Sequence, residues 1–451
     1  MGLHLEPLVM FDDQGMSLEA AAAEENINPV VIPRAEHPIS RRMIDEDALK
    51  VLYRLHRHGF LAYLVGGSVR DLLLGRTPKD FDVATNAHPH EIKALFRNSR
   101  AIGRRFRLVH IFFKGAKIVE VSTFRSRSEP EEVEAEDGTV VRTESFGTPE
   151  EDALRRDITI NGLFYNVADF SIIDCVGGMK DLRDRIIRTI GDPQERFQED
   201  PVRMIRVIRH AARTGFTIEE GTSAALVNQH EEIRTCSPSR VRDEFLRDLT
   251  EGVAQPSFRL MLQTGLLLSL FPEFHRAFGN RNPFRERDKQ FFLSLFGLAD
   301  QLIQTGRQVS ESILLALLLT PFLQVVTPDH LYLGKKEQHH YRMEAIHWAV
   351  NQIFAPFGFP KAMKEMAAQI LMAQSALRQA IYRGMVPKRL RIKRYFREAV
   401  LYFGIKAEAR GEKVPSLLRY AVPPRLLPWW PEEIKKRHRR FAHRVPSTSS
   451  E

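Results

Sequence analysis

The sequence has little of several features that would place a chain in a particular compartment. Only two of its 451 residues are cysteine, Cys175 and Cys236, and their spacing fits neither a disulfide framework nor a zinc site. No uninterrupted apolar run reaches the roughly 18 residues of a membrane span, and the nearest candidate, 313–326, is broken by Pro321. The first 30 residues carry Asp and Glu instead of a basic start followed by an apolar core, so no signal peptide is predicted. These absences favour a soluble protein in a reducing, cytoplasmic setting.

The patterns that are present predict an α+β protein. Short apolar strands alternate with amphipathic helices from about residue 38 to residue 170, whereas strand patterns nearly vanish after residue 180. A small mixed or antiparallel sheet with helices should form an N-terminal head, followed by an all-α neck, body and tail. The formal net charge of +9 makes a polyanion a candidate partner. The expected segments are a flexible lead (1–37), the head (38–170), a helical neck (171–250), a helical body (251–382) and an arginine-rich tail (383–451).

The stretch KDFDVAT, residues 79–85, places two aspartates one residue apart. If this stretch is a strand, Asp80 and Asp82 share one face while Phe81 enters the core from the other. Two carboxylates so close repel each other unless cations neutralise them, and oxygen ligands favour Mg²⁺. Two such ions can activate an attacking hydroxyl and stabilise a departing pyrophosphate. An isolated D-x-D also fits a polar turn beside a strand, so its surroundings decide between the two interpretations.

Two neighbouring patterns favour the metal interpretation. Gly66 and Gly67 end an apolar strand, and Ser68 is placed to cap the helix that follows, where backbone N–H groups form a phosphate cradle. The same glycines also fit a plain strand-to-helix turn. In KIVEVSTFR (117–125), alternation puts Glu120 on one face of a predicted strand. If that strand pairs beside the aspartate strand, Glu120 becomes a third carboxylate of the site; otherwise it is a solvated surface residue.

A second group of charged residues follows an acidic, polar stretch at 126–147. Thr148 and Glu151 form a predicted capping box around Pro149, and the helix delivers basic residues at its far end. Arg155 and Arg156 can bind triphosphate oxygens there. The next residue, Asp157, can accept hydrogen bonds from a ribose hydroxyl or support the metal site.

The stretch EDPVRMIRVIRHAAR, residues 199–213, predicts a helix capped by Asp200. Asp200 and Arg203 lie three residues apart on its surface. An Asp accepts from an exocyclic amine and an Arg donates to a ring nitrogen, so the pair can imitate the edge of a partner base. A cap plus an ion pair describes the same two residues, and Arg240 with Glu244 is a further predicted i,i+4 pair. The helix should bury Val202, Ile205, Ile208 and Ala212 and present a basic stripe of Arg203, Arg206, Arg209 and Arg213.

The order of these motifs resembles the tRNA nucleotidyltransferase and poly(A) polymerase superfamily, in its bacterial class. The resemblance rests on GGSVRDLLLG followed by KDFDVAT, on RRDITINGLFYN (155–166) and on QEDPVRMIRVIRHAAR (198–213), and it covers about 40 to 245. It implies a nucleotidyltransferase head that works with two Mg²⁺ ions, and a neck whose E-D-x-x-R motif chooses the incoming nucleotide without a template. Gly162 stands where the family more often has a side chain. By resemblance the catalytic set is Asp80, Asp82, Glu120 and Asp157, the metal ligands are Asp80, Asp82 and Glu120, and the nucleotide-binding set is Gly66, Gly67, Ser68, Arg70, Arg155, Arg156, Asp200, Arg203, Arg206 and Arg209.

Two features, a basic segment before a predicted hairpin and a basic tail, favour the poly(A) polymerase branch of the superfamily. Arg104, Arg105 and Arg107 precede a predicted hairpin, as they do in poly(A) polymerases. In the tail, residues 383–397 hold seven Lys or Arg and no acid, and residues 435–444 hold six, which suits single-stranded RNA. A solvated helix face is the alternative for either run.

The resemblance leads to a specific functional expectation. The protein is expected to add AMP from its substrate ATP to single-stranded RNA 3′ ends in the cytoplasm, with RNA-degradation machinery as a further partner and no membrane. A CCA-adding or A-adding tRNA nucleotidyltransferase is the alternative enzyme. A non-catalytic RNA-binding protein on the same scaffold would have lost a carboxylate, but Asp80, Asp82 and Glu120 are all present.

Overall fold

The computed structural model describes residues 28–103, 108–126, 132–134, 140–142, 146–326 and 335–414. The chain divides into two compact units, Met1–Gly191 and Asp192–Glu451. The strands of the first unit are β1 Val30–Ile32, β2 Ala62–Val65, β3 Asp82–Thr85, β4 Ser99–Ile102, β5 Leu108–Phe112, β6 Ile118–Thr123, β7 Glu132–Glu134, β8 Val140–Arg142, β9 Leu163–Asn166, β10 Ile172–Asp174 and β11 Ile186–Ile187. Its helices are α1 Glu46–Arg57, α2 Gly67–Leu73, α3 Pro89–Leu95, α4 Pro149–Leu154 and α5 Gly178–Asp184.

The first unit is built on one mixed sheet of eight strands in the order β1-β10-β9-β2-β3-β6-β5-β4. Neighbouring strands run antiparallel except β3 and β6, which are parallel. The predicted hairpin is present, because β5 and β6 pair around a turn in which Gly115 has φ 75°. The predicted head with a small mixed sheet is confirmed.

Apolar side chains bury both faces of this sheet. In β2, Ala62 and Leu64 join the larger core beneath α1, whereas Tyr63 and Val65 join a second cluster with Phe124 on the opposite face. This division follows from the two-residue period of a strand. The two buried faces leave the candidate site near the end of the central strands, at the start of β3 and beside Glu120 of β6.

The predicted limits of the head were too narrow. Val30–Ile32, placed in the flexible lead by the sequence, pairs with β10 as the edge strand of the sheet. Strand β10 itself lies beyond the predicted end at residue 170, and the unit extends to Gly191. Both strands are only three residues long, too short for a periodic signal. The rest of the lead, residues 1–27, lies outside the described residues.

The second unit is helical, as predicted. Its core is rich in phenylalanine: the ring of Phe258 lies 4.6 Å from that of Phe296 and 4.9 Å from that of Phe292. Within the described residues no helix is both long and apolar enough to cross a membrane. The elements are α6 Pro193–Glu199, α7 Val202–Thr214, β12 Thr217–Ile218, α8 Glu220–Gln229, α9 Pro238–Thr250, α10 Ala254–Gln263, α11 Leu266–Leu270, α12 His275–Phe278, α13 Arg285–Gln304, α14 Glu311–Val326, α15 Lys335–Phe354, α16 Lys361–Tyr382, α17 Lys388–Arg391 and α18 Phe396–Ala409.

The arginine-rich tail does not begin as a separate segment at residue 383. The α18 residues Phe396, Ala399 and Val400 share a buried cluster with Leu377 of α16. Tyr402 is hydrogen-bonded to Thr320 of α14 at 2.7 Å inside the unit. The segment 383–409 is therefore folded onto the helical unit through its apolar residues, which the sequence did not predict because its basic residues dominate the pattern.

Candidate active site

The glycine turn after β2 is the first component of the site. Gly66 has φ 69° and ψ −134°, a left-handed conformation that favours glycine, and α2 begins at the next residue. A Cβ at position 66 would stand 3.1 Å from Nη1 of Arg156. The turn thus needs glycine both for its backbone and for the close approach of this guanidinium.

The register of the sheet brings Val65, Asp82 and Glu120, which are distant in the sequence, side by side on three neighbouring central strands. Asp82 is the first residue of β3 and pairs with Val65, which directly precedes the glycine turn. On its other side β3 runs parallel to β6, with Val83 opposite Val121, so Asp82 and Glu120 occupy equivalent positions on adjacent strands. The strand pairing that Glu120 needed to be the third carboxylate of the site, that of β6 beside β3, is therefore present.

Asp80 differs from the sequence prediction. It lies in the loop before β3, since the strand begins only at Asp82, so the two aspartates are not alternate residues of one strand. Phe81 nevertheless packs against the larger core as expected. Both aspartates retain solvent-exposed surface.

The electrostatics of Asp82 are those of a carboxylate among like charges. Burial raises the pKa of Asp82 to about 6, although part of its surface is exposed, and the neighbouring Glu120 and Asp80 carboxylates raise it further, whereas Arg156 lowers it. Among the described residues no three His, Cys, Asp or Glu side chains are close enough to hold one ion between them. The carboxylates therefore do not form a complete cage. Such an open oxygen donor set fits Mg²⁺, which keeps several waters and substrate oxygens in its shell.

The basic side of the site comes from the end of α4. The predicted capping box is confirmed: Thr148 accepts from the Glu151 N–H at 3.3 Å, and Glu151 accepts from the Thr148 N–H at 2.8 Å. Arg155 follows as the C-terminal cap and donates to the carbonyl of Ser126. Arg156 lies next in the chain and Asp157 after it, half-buried.

Arg156 is held in place from several directions. Its Nη2 donates to Asp152 at 2.8 Å, its Nη1 donates to the carbonyl of Asn161 at 3.4 Å, and its guanidinium lies 5.1 Å from the Phe164 ring centroid. It is thereby fixed beside both the glycine turn and Asp82. A fixed cation in that position can meet phosphate oxygens.

Two predicted nucleotide ligands have other roles in the structure. Ser68 does not cap α2; its hydroxyl donates to the carbonyl of Val65 at 2.8 Å, because the left-handed Gly66 starts the helix earlier. Arg70 is only 1% exposed and donates to Asp71 at 2.8 and 2.9 Å and to Asn161 at 2.7 Å. A buried guanidinium engaged in this way supports the turn and has no surface to offer a nucleotide.

Sequence reasoning missed two residues near the carboxylates. His110, directly opposite Glu120 on β5, lies 3.2 Å from that carboxylate. Arg125 follows β6, and burial lowers the pKa of its guanidinium, with Arg155 and Arg156 adding to the effect. The pairing partner of Glu120 could have been found from the hairpin register, but Arg125 had no motif to mark it.

The second unit places Asp200 and Arg203 differently from their predicted pair. Asp200 ends α6, and Pro201 caps α7, so the predicted capping role of Asp200 was wrong. Asp200 accepts from Arg240 at 2.7 Å, and its other oxygen is buried without a partner among the described residues. Arg203 donates to Glu199 at 2.7 Å and to the carbonyl of Arg196 at 2.9 Å. Arg240 therefore pairs with Asp200 and not with the predicted partner Glu244.

The predicted basic stripe of α7 is partly internal. Arg206, half-exposed, donates to Glu244 at 2.9 Å. Arg209 is 6% exposed, donates to Glu244 at 2.5 Å and is also paired with Asp248. Arg209 is thus a structural residue and not a nucleotide ligand, because α7 is buried on most of its circumference. Of the predicted core positions only Ala212 is less than fully buried.

The basic run at 383–397 lies on the surface. All seven of its cationic side chains are exposed, and in the described part of the chain none of those side chains has a hydrogen-bond or ion-pair partner. Tyr382, just before the run, is 93% exposed. The second run, 435–444, and the predicted hairpin arginines Arg104, Arg105 and Arg107 lie outside the described residues.

Comparisons with known proteins identify the class of both units. Residues 62–188 match the family model described as "Poly A polymerase head domain", and residues 215–278 match the model "Probable RNA and SrmB- binding site of polymerase A". The first unit is accordingly a nucleotidyltransferase head, and the helical unit carries the RNA-binding domain that accompanies it. The predicted superfamily is confirmed for the matched residues.

Within that class the chain is similar in sequence to poly(A) polymerases and to CCA-adding enzymes. It is 46% identical over 272 residues to Poly(A) polymerase I of Escherichia coli O6:H1, covering 58% of each chain. It is 44% identical over 264 residues to Poly(A) polymerase I of Haemophilus influenzae, covering 57% of this chain and 58% of that one. A CCA-adding enzyme of Lactobacillus gasseri is 40% identical over 220 residues, 49% of this chain and 54% of that one. The aligned region thus spans less than two thirds of these relatives.

A solved structure extends the likeness in fold. The Bacillus stearothermophilus CCA-adding enzyme in complex with CTP has a TM-score of 0.58 and 25% identity, covering 90% of this chain and 83% of that one. The head followed by helices is therefore the architecture of this superfamily.

Proposed function

We propose that this protein is a template-independent polynucleotide adenylyltransferase that adds AMP from ATP to RNA 3′ ends. The observation that carries the proposal is the register that sets Asp82 beside Glu120 on one side and the glycine turn with Arg156 on the other. This arrangement joins a cation site to a phosphate site at one sheet edge. The greater identity to poly(A) polymerases than to a CCA-adding enzyme supports the choice of ATP.

The site residues divide the chemistry between them. In the reaction the RNA 3′ oxygen bonds to the α-phosphorus of ATP as the bond to pyrophosphate breaks. Asp80, Asp82 and Glu120 would hold two Mg²⁺ ions, which supply charge stabilisation for the attacking and leaving oxygens. Arg155 and Arg156 bind phosphate oxygens above the Gly66–Gly67 turn, and their fixed positions reduce reorganisation during the reaction. Asp157 supports the nucleotide or the metal site.

Nucleotide choice is assigned to the helical unit. We retain Asp200 and Arg203 as the base-reading residues, because the buried oxygen of Asp200 and the donors of Arg203 offer an acceptor and a donor to a base. The contacts to Arg240 and Glu199 position the two side chains. RNA is the acceptor substrate, and a cytoplasmic setting follows from the composition.

The deciding experiment supplies ATP or CTP separately, with an unstructured RNA and with a tRNA that lacks its 3′ end. Long tails from ATP alone on both RNAs are expected. Incorporation of CTP into the tRNA would support the second candidate, a CCA-adding enzyme, which the likeness to the Lactobacillus gasseri protein favours. The Asp82→Ala variant is the control for contaminating activity.

A further inference from the structure

A cavity of about 550 Å³ lies in the helical unit, and none of the residues assigned to the active site lines it. It is formed where the end of α13 meets the first turns of α14 and α18. Its size is that of small-molecule sites, which combine apolar walls with a few convergent polar groups. The apolar wall consists of Ile303, Val309, Ile313 and Leu401.

Two polar atoms at the cavity lack partners. Nη1 of Arg307 and one carboxylate oxygen of Glu398 are buried and, among the described residues, make no hydrogen bond. Burial also lowers the pKa of the Arg307 guanidinium. Buried polar groups without partners are costly, and native proteins rarely keep them without a use. Both side chains line the cavity, Arg307 from the segment between α13 and α14 and Glu398 from the first turn of α18.

The cavity is continuous with the exposed basic run. Arg397 is the last cation of the run at 383–397 and also lines the cavity. Exposed cations without acidic neighbours follow the phosphates of a single strand, and bases of such a strand are free to enter pockets. A strand lying along the run would therefore present a base at the mouth of the cavity.

We propose that this cavity binds an adenine base of single-stranded RNA, with Arg307 donating to a ring nitrogen and Glu398 accepting from the exocyclic amine. Adenine and cytosine both offer an acceptor beside an amine donor, which matches one guanidinium and one carboxylate, whereas uracil presents its acceptor and donor in the reverse order along the edge. Of the first two bases, adenine is the one that the proposed reaction adds. The site would retain the tail after it is made. This inference rests on the proposed function, because it takes RNA as the substrate and adenylate as the product.

Equilibrium binding of oligoadenylate and oligouridylate of about 12 nucleotides, without ATP or Mg²⁺, tests the proposal. The unaltered protein should prefer oligoadenylate by roughly fivefold or more, and Arg307→Ala and Glu398→Gln should each remove most of that preference. Arg383→Ala is the matched control: it removes one exposed arginine of the same run that does not line the cavity. That variant should weaken binding of both strands equally.

Several outcomes would overturn the proposal. If the unaltered protein binds the two strands equally, the cavity does not select adenine. If both cavity variants keep the full preference for oligoadenylate, the base is bound elsewhere. If AMP alone competes as strongly as oligoadenylate, the cavity binds a free nucleotide and not a strand. No binding of either strand would contradict the proposed function as well, whereas binding without preference contradicts only this inference. Thermal unfolding of each variant shows whether it is folded.

Discussion

Asp82 in the head and Arg209 in the helical unit are both charged side chains enclosed by other charges, but their surroundings differ in kind. Asp82 stands among carboxylates, with Arg156 as the one cation acting on its pKa, and its pKa is raised to about 6. Arg209 lies between Glu244 and Asp248, and both carboxylates are hydrogen-bonded to it. The Asp82 cluster is short of positive charge, whereas the Arg209 cluster contains both signs, although burial raises the pKa of Asp248 to about 7 and one of its oxygens has no partner among the described residues.

This difference separates function from structure better than residue type does. Repulsion within a cluster of like charges is relieved by a bound cation or by protonation, so such a cluster in an accessible position is a candidate binding site. A buried cluster with both signs needs no ligand and fixes the packing of α7 against α9. In the sequence the stretches that hold Asp82 and Arg209 are both charged, so residue type alone does not separate the two clusters.

The largest expected effect comes from removing the head carboxylates. Asp80→Ala or Asp82→Ala should lower nucleotide addition by about 100-fold or more, because metal-bound charge stabilisation is lost. RNA binding and thermal stability should change little. Primer extension at saturating Mg²⁺ measures the effect, and activity within about tenfold of the unaltered protein would refute the two-metal interpretation.

Substitution in the cluster of Arg209, Glu244 and Asp248 should change the stability of the protein instead. Arg209→Ala leaves two buried carboxylates without their cation and should lower the free energy of unfolding by about 3–5 kcal/mol. Arg206→Ala is the matched control, since it lies on the same helix and shares Glu244 but is half-exposed; it should cost less than about 1 kcal/mol. Urea unfolding followed by circular dichroism compares them, and equal losses would contradict the assignment of Arg209 as the buried anchor.

A substitution of Arg203 tests whether an arginine that is paired within the fold can also read the base of the incoming nucleotide. Arg203→Ala should lower discrimination between ATP and CTP by about 1–3 kcal/mol while RNA affinity is nearly retained. Incorporation from an ATP and CTP mixture measures this, with Arg213→Ala on the same helix as control. Unchanged discrimination would leave Arg203 with only its structural contacts to Glu199 and Arg196.

The cluster of Asp80, Asp82 and Glu120 should also make the stability of the protein depend on pH. Because the folded pKa of Asp82 is raised above its ordinary value of 3.8 to about 6, the folded state binds the extra proton between these values, and its stability falls as pH rises through that window. Without Mg²⁺, Asp82→Asn should therefore be more stable than the unaltered protein above pH 6, by about 1 kcal/mol after allowance for solvent screening, and equal to it below about pH 4.

Thermal unfolding at a series of pH values in a chelator provides this measurement. Added Mg²⁺ should reverse the order by stabilising only the unaltered protein. A constant difference at all pH values would mean that the substitution acts through packing and not through charge.

The smallest effect concerns the exposed basic run. Substituting Arg389, Arg391 and Arg394 by Gln leaves α18 and its core contacts intact, as truncation before residue 383 would not. Each lost phosphate contact should reduce the slope of log affinity against log salt by about 0.7. Parallel lines for the two proteins would show that these arginines do not contact RNA.

The sequence predicted the elements whose signals are local. The capping box at Thr148 and the hairpin at Gly115 both follow from neighbouring residues, and both are present. The edge formed by Asp82 and Glu120 was predicted only conditionally, because strand pairing is not encoded within either strand. The motif resemblance, not periodicity, made that pairing the favoured choice.

Errors arose where burial decides the role of a charged residue. Arg70 and Arg209 lie in motifs full of site residues, but long-range partners, Asn161 and Asp248, draw them into the interior. A single sequence carries no signal for such partners. The same limit applies to Asp200, whose partner Arg240 lies on a different helix.

The parallel pairing of β3 with β6 has a consequence for how the protein acquires activity. Antiparallel neighbours can form by simple chain reversal, but a parallel pair requires a crossover, here through α3, β4 and β5. Such non-local pairing forms late because its loop-closure entropy must be met first. During refolding, recovery of nucleotide addition should therefore lag behind recovery of the helical circular dichroism signal. If the proposed function holds, the site forms late in chain assembly, only after the crossover has closed.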